Sequence, residues 1–168
     1  MPLQESNSQA PVFFWQGVVR RRLEFTLSAG ARTPVGHGQQ PGIGAGELMR
    51  FFAEAAWYPT LLLPSPGVRW EAVNNSSAHG TLVDGPLSLK LLFSFNAEGL
   101  LDTVRADARE RVVDGRAATT PWQGRFWDYA ERSGMRVPLD GEVAWMLPEG
   151  EKPYWRGTTT SLNYEFVK

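Results

Sequence analysis

The side chains best suited to chemistry in this sequence are carboxylates and arginines set among large aromatic rings. Such residues could form a polar patch at the mouth of an aromatic-lined cavity, where an arginine fork holds a small ligand. Paired carboxylates could also transfer protons. The candidate ligand-binding residues are Arg50, Glu54, Trp57, Trp70, Tyr129, Glu142, Trp145, Tyr154 and Arg156.

A structural role competes with this interpretation for the charged residues. Arg156 lies in the segment YWRG, on a strand that should be half-buried, and we expect it to pair with Glu142 or Glu54. Such a pair could simply fix the register of the strands, and desolvation would then offset much of the attraction between the charges. Similarly, Arg50 and Glu54 could lie on a solvated helix face or line a cavity.

Other common active-site patterns are missing from the sequence. The chain contains two histidines, His37 and His79, and no cysteine, which excludes disulfides, zinc–thiolate sites and thiol nucleophiles. His79 follows Ser77 by two residues, but there is no GxSxG elbow that would make this serine a nucleophile. No HExxH or DxDxDG spacing and no glycine-rich phosphate loop after a strand occurs. We therefore expect no metal and no cofactor.

Bulk composition narrows the classes of function further. The 168 residues carry a formal net charge of −1, so nothing indicates electrostatic binding to nucleic acid. No apolar run approaches the ~20 residues of a membrane span. The N-terminal segment MPLQESNSQAP lacks the basic and apolar regions of a signal peptide. We expect a single cytoplasmic domain without a membrane span.

One segment has the pattern of an amphipathic helix over residues 46–58. Apolar residues recur there at three- and four-residue spacing, which places them on one face. Arg50 can pair with Glu47 one turn before it or with Glu54 one turn after it. Pro59 is expected to end the helix because it forces the preceding residue toward extended backbone. The apolar face consists of Leu48, Phe51, Phe52, Ala55 and Ala56.

From residue 67 onward the pattern is typical of antiparallel strands joined by short turns. The clearest strand covers residues 87–95, where every second side chain from Leu87 to Phe95 is apolar. Asp84-Gly85 and Asp114-Gly115 indicate hairpin turns. Residues 121–124, together with Pro138, Gly141 and Pro153, indicate loops or strand ends. The other strands are expected at residues 68–73, 77–83, 100–107, 109–113, 125–131, 142–147 and 154–167.

These elements predict a mainly β (α+β) fold, a curved antiparallel sheet or half-barrel of about seven or eight strands packed on one helix. Residues 1–11 are expected to form a tail, residues 12–27 one or two strands, and residues 28–45 a mobile, irregular loop rich in glycine and proline. The residues predicted to form one core are Phe51, Phe52, Trp70, Leu89, Leu91, Phe93 and Trp145.

The chain resembles an uncharacterised bacterial domain-of-unknown-function family. The resemblance rests on GELMRFFAEAAWYPTLLLP followed by GVRWE, and on PWQG, GEVAW and YWRG farther along. It covers about residues 44–168, the family-like core, and it implies a mostly antiparallel β domain but no chemistry. Family members carry more strand-forming sequence before the helix, so residues 20–45 could be an out-of-frame or deleted stretch that leaves a sheet edge open.

Three classes of function remain open from the sequence. The first is a binding module that holds a small apolar or amphipathic molecule between sheet and helix, with a likeness to lipid-carrier half-barrels at the level of fold only. The second is an enzyme of unknown reaction that uses Glu, Arg and Tyr at the cavity mouth. The third is a structural or interaction domain without a ligand. An open sheet edge could also join two copies of the chain.

Overall fold

The structure is a computed structural model, and it describes residues 19–27, 43–63 and 67–166. Within these residues it contains one antiparallel sheet of eight strands and one α-helix, which two short 3-10 helices follow. The predicted fold class, mainly β with a curved sheet and a single helix, is confirmed. The elements are β1 (Val19–Leu27), α1 (Ile43–Ala53), 3-10 helices at Glu54–Trp57 and Pro59–Leu62, β2 (Val68–Asn74), β3 (Ser77–Asp84), β4 (Leu87–Phe95), β5 (Leu101–Val113), β6 (Arg116–Arg132), β7 (Met135–Leu147) and β8 (Gly150–Phe166).

Strands β2 to β8 pair in the order in which they follow one another along the chain. Strand β1 pairs with β8, so the full order is β1-β8-β7-β6-β5-β4-β3-β2. Strands β1 and β2 form the two edges and are not paired with each other in the described residues, which leaves the sheet unclosed. At the β5–β6 hairpin, Asp114 and Gly115 have φ of 49° and 77°, as a tight two-residue hairpin turn requires.

The N-terminal strand β1 pairs with β8 over its whole length. This confirms a strand within residues 12–27, and the first part of the segment proposed to be out of frame therefore forms a paired strand with one irregularity, between Glu24 and Phe25. Residues 28–42, most of the predicted irregular loop, and the predicted tail at 1–11 lie outside the described residues. Within the described part of the chain, no helix has the length and apolar character needed to cross a membrane.

The helix begins and ends earlier than the sequence predicts. It starts at Ile43 instead of Gly46, and its α-helical part stops at Ala53. The next residues tighten into a 3-10 turn in which the amide of Tyr58 donates to the carbonyl of Ala55 at 2.9 Å. Because Pro59 has no N–H and cannot extend the helix, this tighter bonding ends the segment.

Several segments that the sequence predicts as loops or strand ends lie inside strands. Residues 121–124 belong to β6, Pro138 and Gly141 belong to β7, and Pro153 belongs to β8. Proline is tolerated in a strand where the hydrogen-bond ladder is irregular. Pro121 and Pro153 each lie at such an irregularity, so the sequence interpretation as loops is wrong at these positions.

One row of cross-strand neighbours defines the two faces of the sheet. Phe93, Val104, Gly124, Val143 and Trp155 lie opposite one another on five successive strands, and directly opposite residues share a face. We call this the inner face and the other the outer face. Helix α1 packs against the sheet at β4 and β5.

The core lies between α1 and the inner face. Phe93 contacts Phe52 and Trp70, with 4.9 Å between ring centroids in each pair and steeply inclined ring planes. We call these three residues the aromatic core. The prediction of a single core is confirmed, because its members are all buried in one cluster or packed against it: Phe51, Phe52, Trp70, Leu89, Leu91, Phe93 and Trp145.

Candidate functional site

A β-bulge in β5 changes which of its side chains reach the inner face. Ala106 pairs with Trp122 and Arg109 pairs with Thr120, so two residues of β5 lie opposite Pro121 alone. Because proline cannot donate to the ladder, an extra residue on the opposing strand is tolerated at this point.

The extra residue reverses the alternation of side chains along β5. Before the bulge, Ala106 faces the core and Arg105 faces outward into solvent. After it, Arg109 lies opposite Thr120, which shares the face of Trp122. Arg109 and Arg111 therefore lie on the inner face, although an uninterrupted strand would have placed both on the outer face.

A second bulge, in β8, acts on the same region of the sheet. Val143 pairs with Trp155 and Ala144 pairs with Pro153, which leaves Tyr154 as the extra residue. Tyr154 and Trp155 both pack against the hydrophobic core. As in β5, a proline lies at the irregularity, and the bulge brings onto the inner face a side chain that regular alternation would have placed elsewhere.

The two bulges meet in one hydrogen bond. The hydroxyl oxygen of Tyr154 accepts from Nη1 of Arg109 at 3.0 Å and from Nε1 of Trp122 at 2.8 Å. The ring of Tyr154 stacks on Trp145 with 5.2 Å between centroids and 19° between planes. We call the set Arg109, Arg111, Trp122, Trp145 and Tyr154 the arginine–tryptophan cluster.

The two guanidinium groups of this cluster lie over indole rings. The guanidinium carbon of Arg109 is 5.2 Å from the ring centroid of Trp122 and 5.8 Å from that of Trp145. That of Arg111 is 5.1 Å from Trp145, and its Nε donates to the hydroxyl of Thr120 at 2.8 Å. Neither arginine forms a salt bridge with a carboxylate of residues 43–63 or 67–162. Each guanidinium carries five N–H donors, and most of them have no acceptor among the described residues, which leaves them for water or a ligand.

The hydroxyl of Tyr154 differs from that of Tyr129. Tyr129 donates its proton to the carbonyl of Leu101 at 2.6 Å, and burial, assisted by the charge of Asp102, raises the pKa of Tyr129. Tyr154 receives two hydrogen bonds from groups that can only donate, and its own proton has no acceptor in the described part of the protein. The arginine–tryptophan cluster thus presents donors without a matching acceptor.

The end of helix α1 adds an ion pair beside this cluster. Nε of Arg50 donates to Oε1 of Glu54 at 2.6 Å, which confirms the predicted pairing one turn apart. Burial raises the pKa of the Glu54 carboxyl, and the charges of Arg50 and Arg109 oppose that shift only in part. Burial alone would lower the pKa of Arg50, but the charge and hydrogen bond of Glu54 outweigh it and raise that pKa.

The predicted pair of Arg156 with Glu142 is confirmed, and it lies on the outer face. Nε of Arg156 donates to Oε2 of Glu142 at 2.8 Å, Nη2 contacts the same oxygen, and the guanidinium carbon lies 5.7 Å from the ring centroid of Trp127. Because Glu142 precedes the inner-face residue Val143, alternation turns it outward. The sheet therefore separates this pair from the arginine–tryptophan cluster.

The remaining predicted site residues bond to backbone carbonyls. Nε1 of Trp57 donates to the carbonyl of Pro138 at 2.9 Å, and Nε1 of Trp70 donates to that of Leu62 at 3.0 Å. The bond of Trp57 ties the helix end to β7, that of Trp70 ties β2 to the 3-10 helix at Pro59–Leu62, and that of Tyr129 ties β6 to β5. Of the nine predicted residues, Trp145 and Tyr154 thus contact each other in the cluster, and Arg50 and Glu54 form a separate ion pair whose carboxylate feels the charge of Arg109.

Sequence reasoning missed three residues of the cluster. Arg109 and Arg111 were predicted to lie in a short separate strand at residues 109–113, which the structure joins to the strand before it, and Trp122 was predicted to lie in a loop. The usable signal was a proline inside a strand pattern, since Pro121 implies a bulge and a bulge reverses alternation.

Comparisons with known proteins place the chain in a family without assigning it a reaction. The described residues hold no group of three or more histidine, cysteine or carboxylate side chains arranged to bind a metal ion. Neither the curated proteins nor the solved structures contain a match to the chain. A family model described as a family of unknown function, DUF6920, matches residues 22–164, and the match starts well before residue 44, where the sequence resemblance begins. The chain therefore belongs to the DUF6920 family.

Proposed function

We propose that the protein binds a small amphipathic molecule at the arginine–tryptophan cluster. The observation that supports this is the convergence of two bulges on one contact, that between Arg109 and Tyr154. A bulge interrupts the hydrogen-bond ladder, and bulges are over-represented next to active sites because they re-aim a side chain. Two of them that bring polar groups to the same place favour a functional site over a stabilising one.

The residue types of the cluster suit a ligand with an apolar part and a polar part. Trp145 is half-buried and stacks on Tyr154, so it offers a rigid apolar surface that stays partly open. The guanidinium groups of Arg109 and Arg111 lie at the edge of this surface and keep free donors. An apolar chain on the indole would thus place its polar end beside the arginines.

An enzyme is the second candidate, and Glu54 is the observation that favours it. A carboxyl whose pKa is raised by burial and that pairs with an arginine, here Arg50, is suited to proton transfer. If this candidate is correct, E54Q would still bind the molecule but would retain a chemically different form of it, which mass spectrometry would identify.

The binding proposal is tested by native mass spectrometry of the protein purified from its own host cells. We expect an added mass on the wild type that is lost on denaturation, and a strongly reduced added mass on W145A. The matched control is W127A, which removes an exposed outer-face indole and should leave the added mass unchanged. Bare protein in all three samples, or equal loss in W145A and W127A, would contradict the proposal.

A further inference from the structure

We infer that the polar end of the ligand is an oxyanion, a carboxylate or a phosphate, held by Arg109, Arg111 and Tyr154. This inference rests on the proposed function and names the class of molecule that the site accepts. It follows from the direction of the hydrogen-bonding groups, from their charge and from the way they are held in place.

The hydrogen-bonding groups that remain free in the cluster are donors. Arg109 uses one N–H on Tyr154, and Arg111 uses one on Thr120, which leaves several N–H groups on each guanidinium. The hydroxyl proton of Tyr154 adds another donor. A ligand that satisfies such a set must bring acceptor oxygens, and a planar carboxylate or a phosphate matches the fork of an arginine.

Charge points to the same class of ligand. The cluster and the adjacent helix contain three arginines, Arg50, Arg109 and Arg111, against Glu54, which already pairs with Arg50, and Glu47, whose charge also acts on Arg50. Arg109 and Arg111 therefore have no carboxylate salt-bridge partner in residues 43–63 or 67–162, in a chain whose overall net charge is −1. An anionic head group would neutralise them, whereas a cationic one would meet like charges without an acceptor.

The arginines are also held in place before a ligand arrives. Arg109 is fixed by the indole rings of Trp122 and Trp145 and by the hydroxyl of Tyr154, and Arg111 is fixed by Trp145 and Thr120. A guanidinium that already has its binding geometry loses little conformational entropy when the ligand binds. The exposed Arg105, by contrast, lies over no aromatic ring of the described residues.

The test is calorimetric titration of the purified protein, stripped of any co-purifying molecule, with four eight-carbon amphiphiles that differ only in their head group. These are octanoate, octyl phosphate, 1-octanol and octylammonium. We expect octanoate or octyl phosphate to bind at least about tenfold more tightly than octanol, because hydrogen bonds between charged groups are roughly twice as strong as neutral ones. The stronger of the two anions identifies the head group, and octylammonium should bind most weakly.

Matched variants locate this preference. R109Q and R111Q should each bring the affinity for the anion to within about threefold of that for octanol. R105Q removes the same charge from the same strand on the outer face and should keep the full preference. Y154F should weaken the preference in part, because it removes the hydroxyl proton and the acceptor that fixes Arg109. Circular dichroism and thermal unfolding confirm that each variant is folded, and R111K, which keeps the charge, serves if R111Q does not fold.

The outcomes separate the inference from the proposed function. Equal binding of octanoate, octyl phosphate and octanol by the wild type would overturn the oxyanion inference and leave the binding proposal standing. An equal loss of preference in R105Q and R109Q would also overturn it, because the effect would then be a general one of net charge. Absence of binding by all four compounds would count against both.

Discussion

The aromatic core and the arginine–tryptophan cluster use similar rings in opposite ways. In the aromatic core, Trp70 packs edge-on against Phe93 and donates its N–H to the carbonyl of Leu62, so its polar atom is satisfied by the fold. In the cluster, Trp122 donates to Tyr154, whose own proton has no partner in the described residues. In the aromatic core, a backbone carbonyl satisfies the polar atom of the ring. In the cluster, hydrogen-bond donors remain without an acceptor among the described residues.

This difference follows from where the irregularities of the strands lie. The aromatic core lies on β2 and β4 and under α1, and the register shifts of these strands, at Ala72/Asn74 and Ser94/Phe95, come after Trp70 and Phe93, so both rings keep the regular alternation. The cluster lies where β5 and β8 each carry an additional residue. Regular alternation sends apolar side chains inward, and its interruption allows charged side chains to reach the same face. The aromatic core should therefore govern stability, and the cluster should govern binding.

The largest effect on stability is expected for Phe93→Ala in the aromatic core. Phe93 is fully buried, so loss of its ring should lower the free energy of unfolding by about 3–5 kcal/mol. Urea unfolding measures this loss, and Val112→Ala, at a side chain that is 76% exposed, should change stability by less than about 0.5 kcal/mol. A loss below about 1 kcal/mol for Phe93→Ala would show that the helix does not cover this face.

A smaller effect is expected at Gly80, beneath the aromatic core. A Cβ added there would lie 2.8 Å from Cε2 of Phe93 and 2.9 Å from Cζ of Phe52. Gly80→Ala should therefore destabilise the protein by about 1–3 kcal/mol through overpacking. The matched substitution Gly46→Ala, in α1 with nothing within 4 Å, should stabilise by up to about 1 kcal/mol. Equal effects at the two glycines would mean that the rings are not packed as described.

Tyr154→Phe should separate stability from binding. It leaves Nε1 of the buried Trp122 without an acceptor, so we expect a loss of about 1 kcal/mol together with a smaller ligand-induced thermal stabilisation. Tyr129→Phe removes the bond to Leu101 and should cost a similar amount while the ligand response stays intact. Thermal unfolding with and without octanoate measures both quantities. An unchanged response in Tyr154→Phe would argue that this hydroxyl does not touch the ligand.

The smallest effect concerns the pH dependence of stability set by Glu54. Its pKa in the folded protein is raised above the ordinary value of 4.5, so its contribution is fully present below that value and is lost as the pH rises through the folded pKa. Glu54→Gln should remove this decline. The change should stay below about 1 kcal/mol, because the side chain is 28% exposed and paired with Arg50. Urea unfolding from pH about 4.5 to 8 tests this prediction. A steeper decline of stability with pH in the variant than in the wild type would contradict it.

Much of the fold was predictable, because local patterns and the final structure agree there. The alternation of Leu87 to Phe95 predicted β4. The spacing of Phe52 and its apolar neighbours predicted the helix that packs on this strand. Asp114-Gly115 predicted its hairpin turn. The spacing of Arg50 and Glu54 predicted their ion pair. Each of these signals acts within a few residues, so no knowledge of the sheet is needed to use it.

The candidate site was predictable only in part, because its geometry depends on register between distant strands. Glu142 and Trp145 lie three residues apart on one strand, so alternation places them on opposite faces of the sheet. The sequence prediction nevertheless put both residues in one site, because it did not apply this rule. The approach of Arg109 to Tyr154 required two bulges, and the prolines that mark them were interpreted as loops or strand ends. A proline in the sequence is compatible with a loop and with a bulge inside a strand, and only the pairing of the strands distinguishes the two.

The central claim is that ligand binding occurs at the arginine–tryptophan cluster and leaves the aromatic core unchanged. The most direct measurement is the movement of indole N–H signals in nuclear magnetic resonance spectra during titration with octanoate. We predict that the signals of Trp122 and Trp145 shift, whereas those of Trp70 and Trp57, which donate to backbone carbonyls, stay in place. Shifts confined to Trp70, Trp57 or the outer-face Trp127, or no shift at all, would contradict the account.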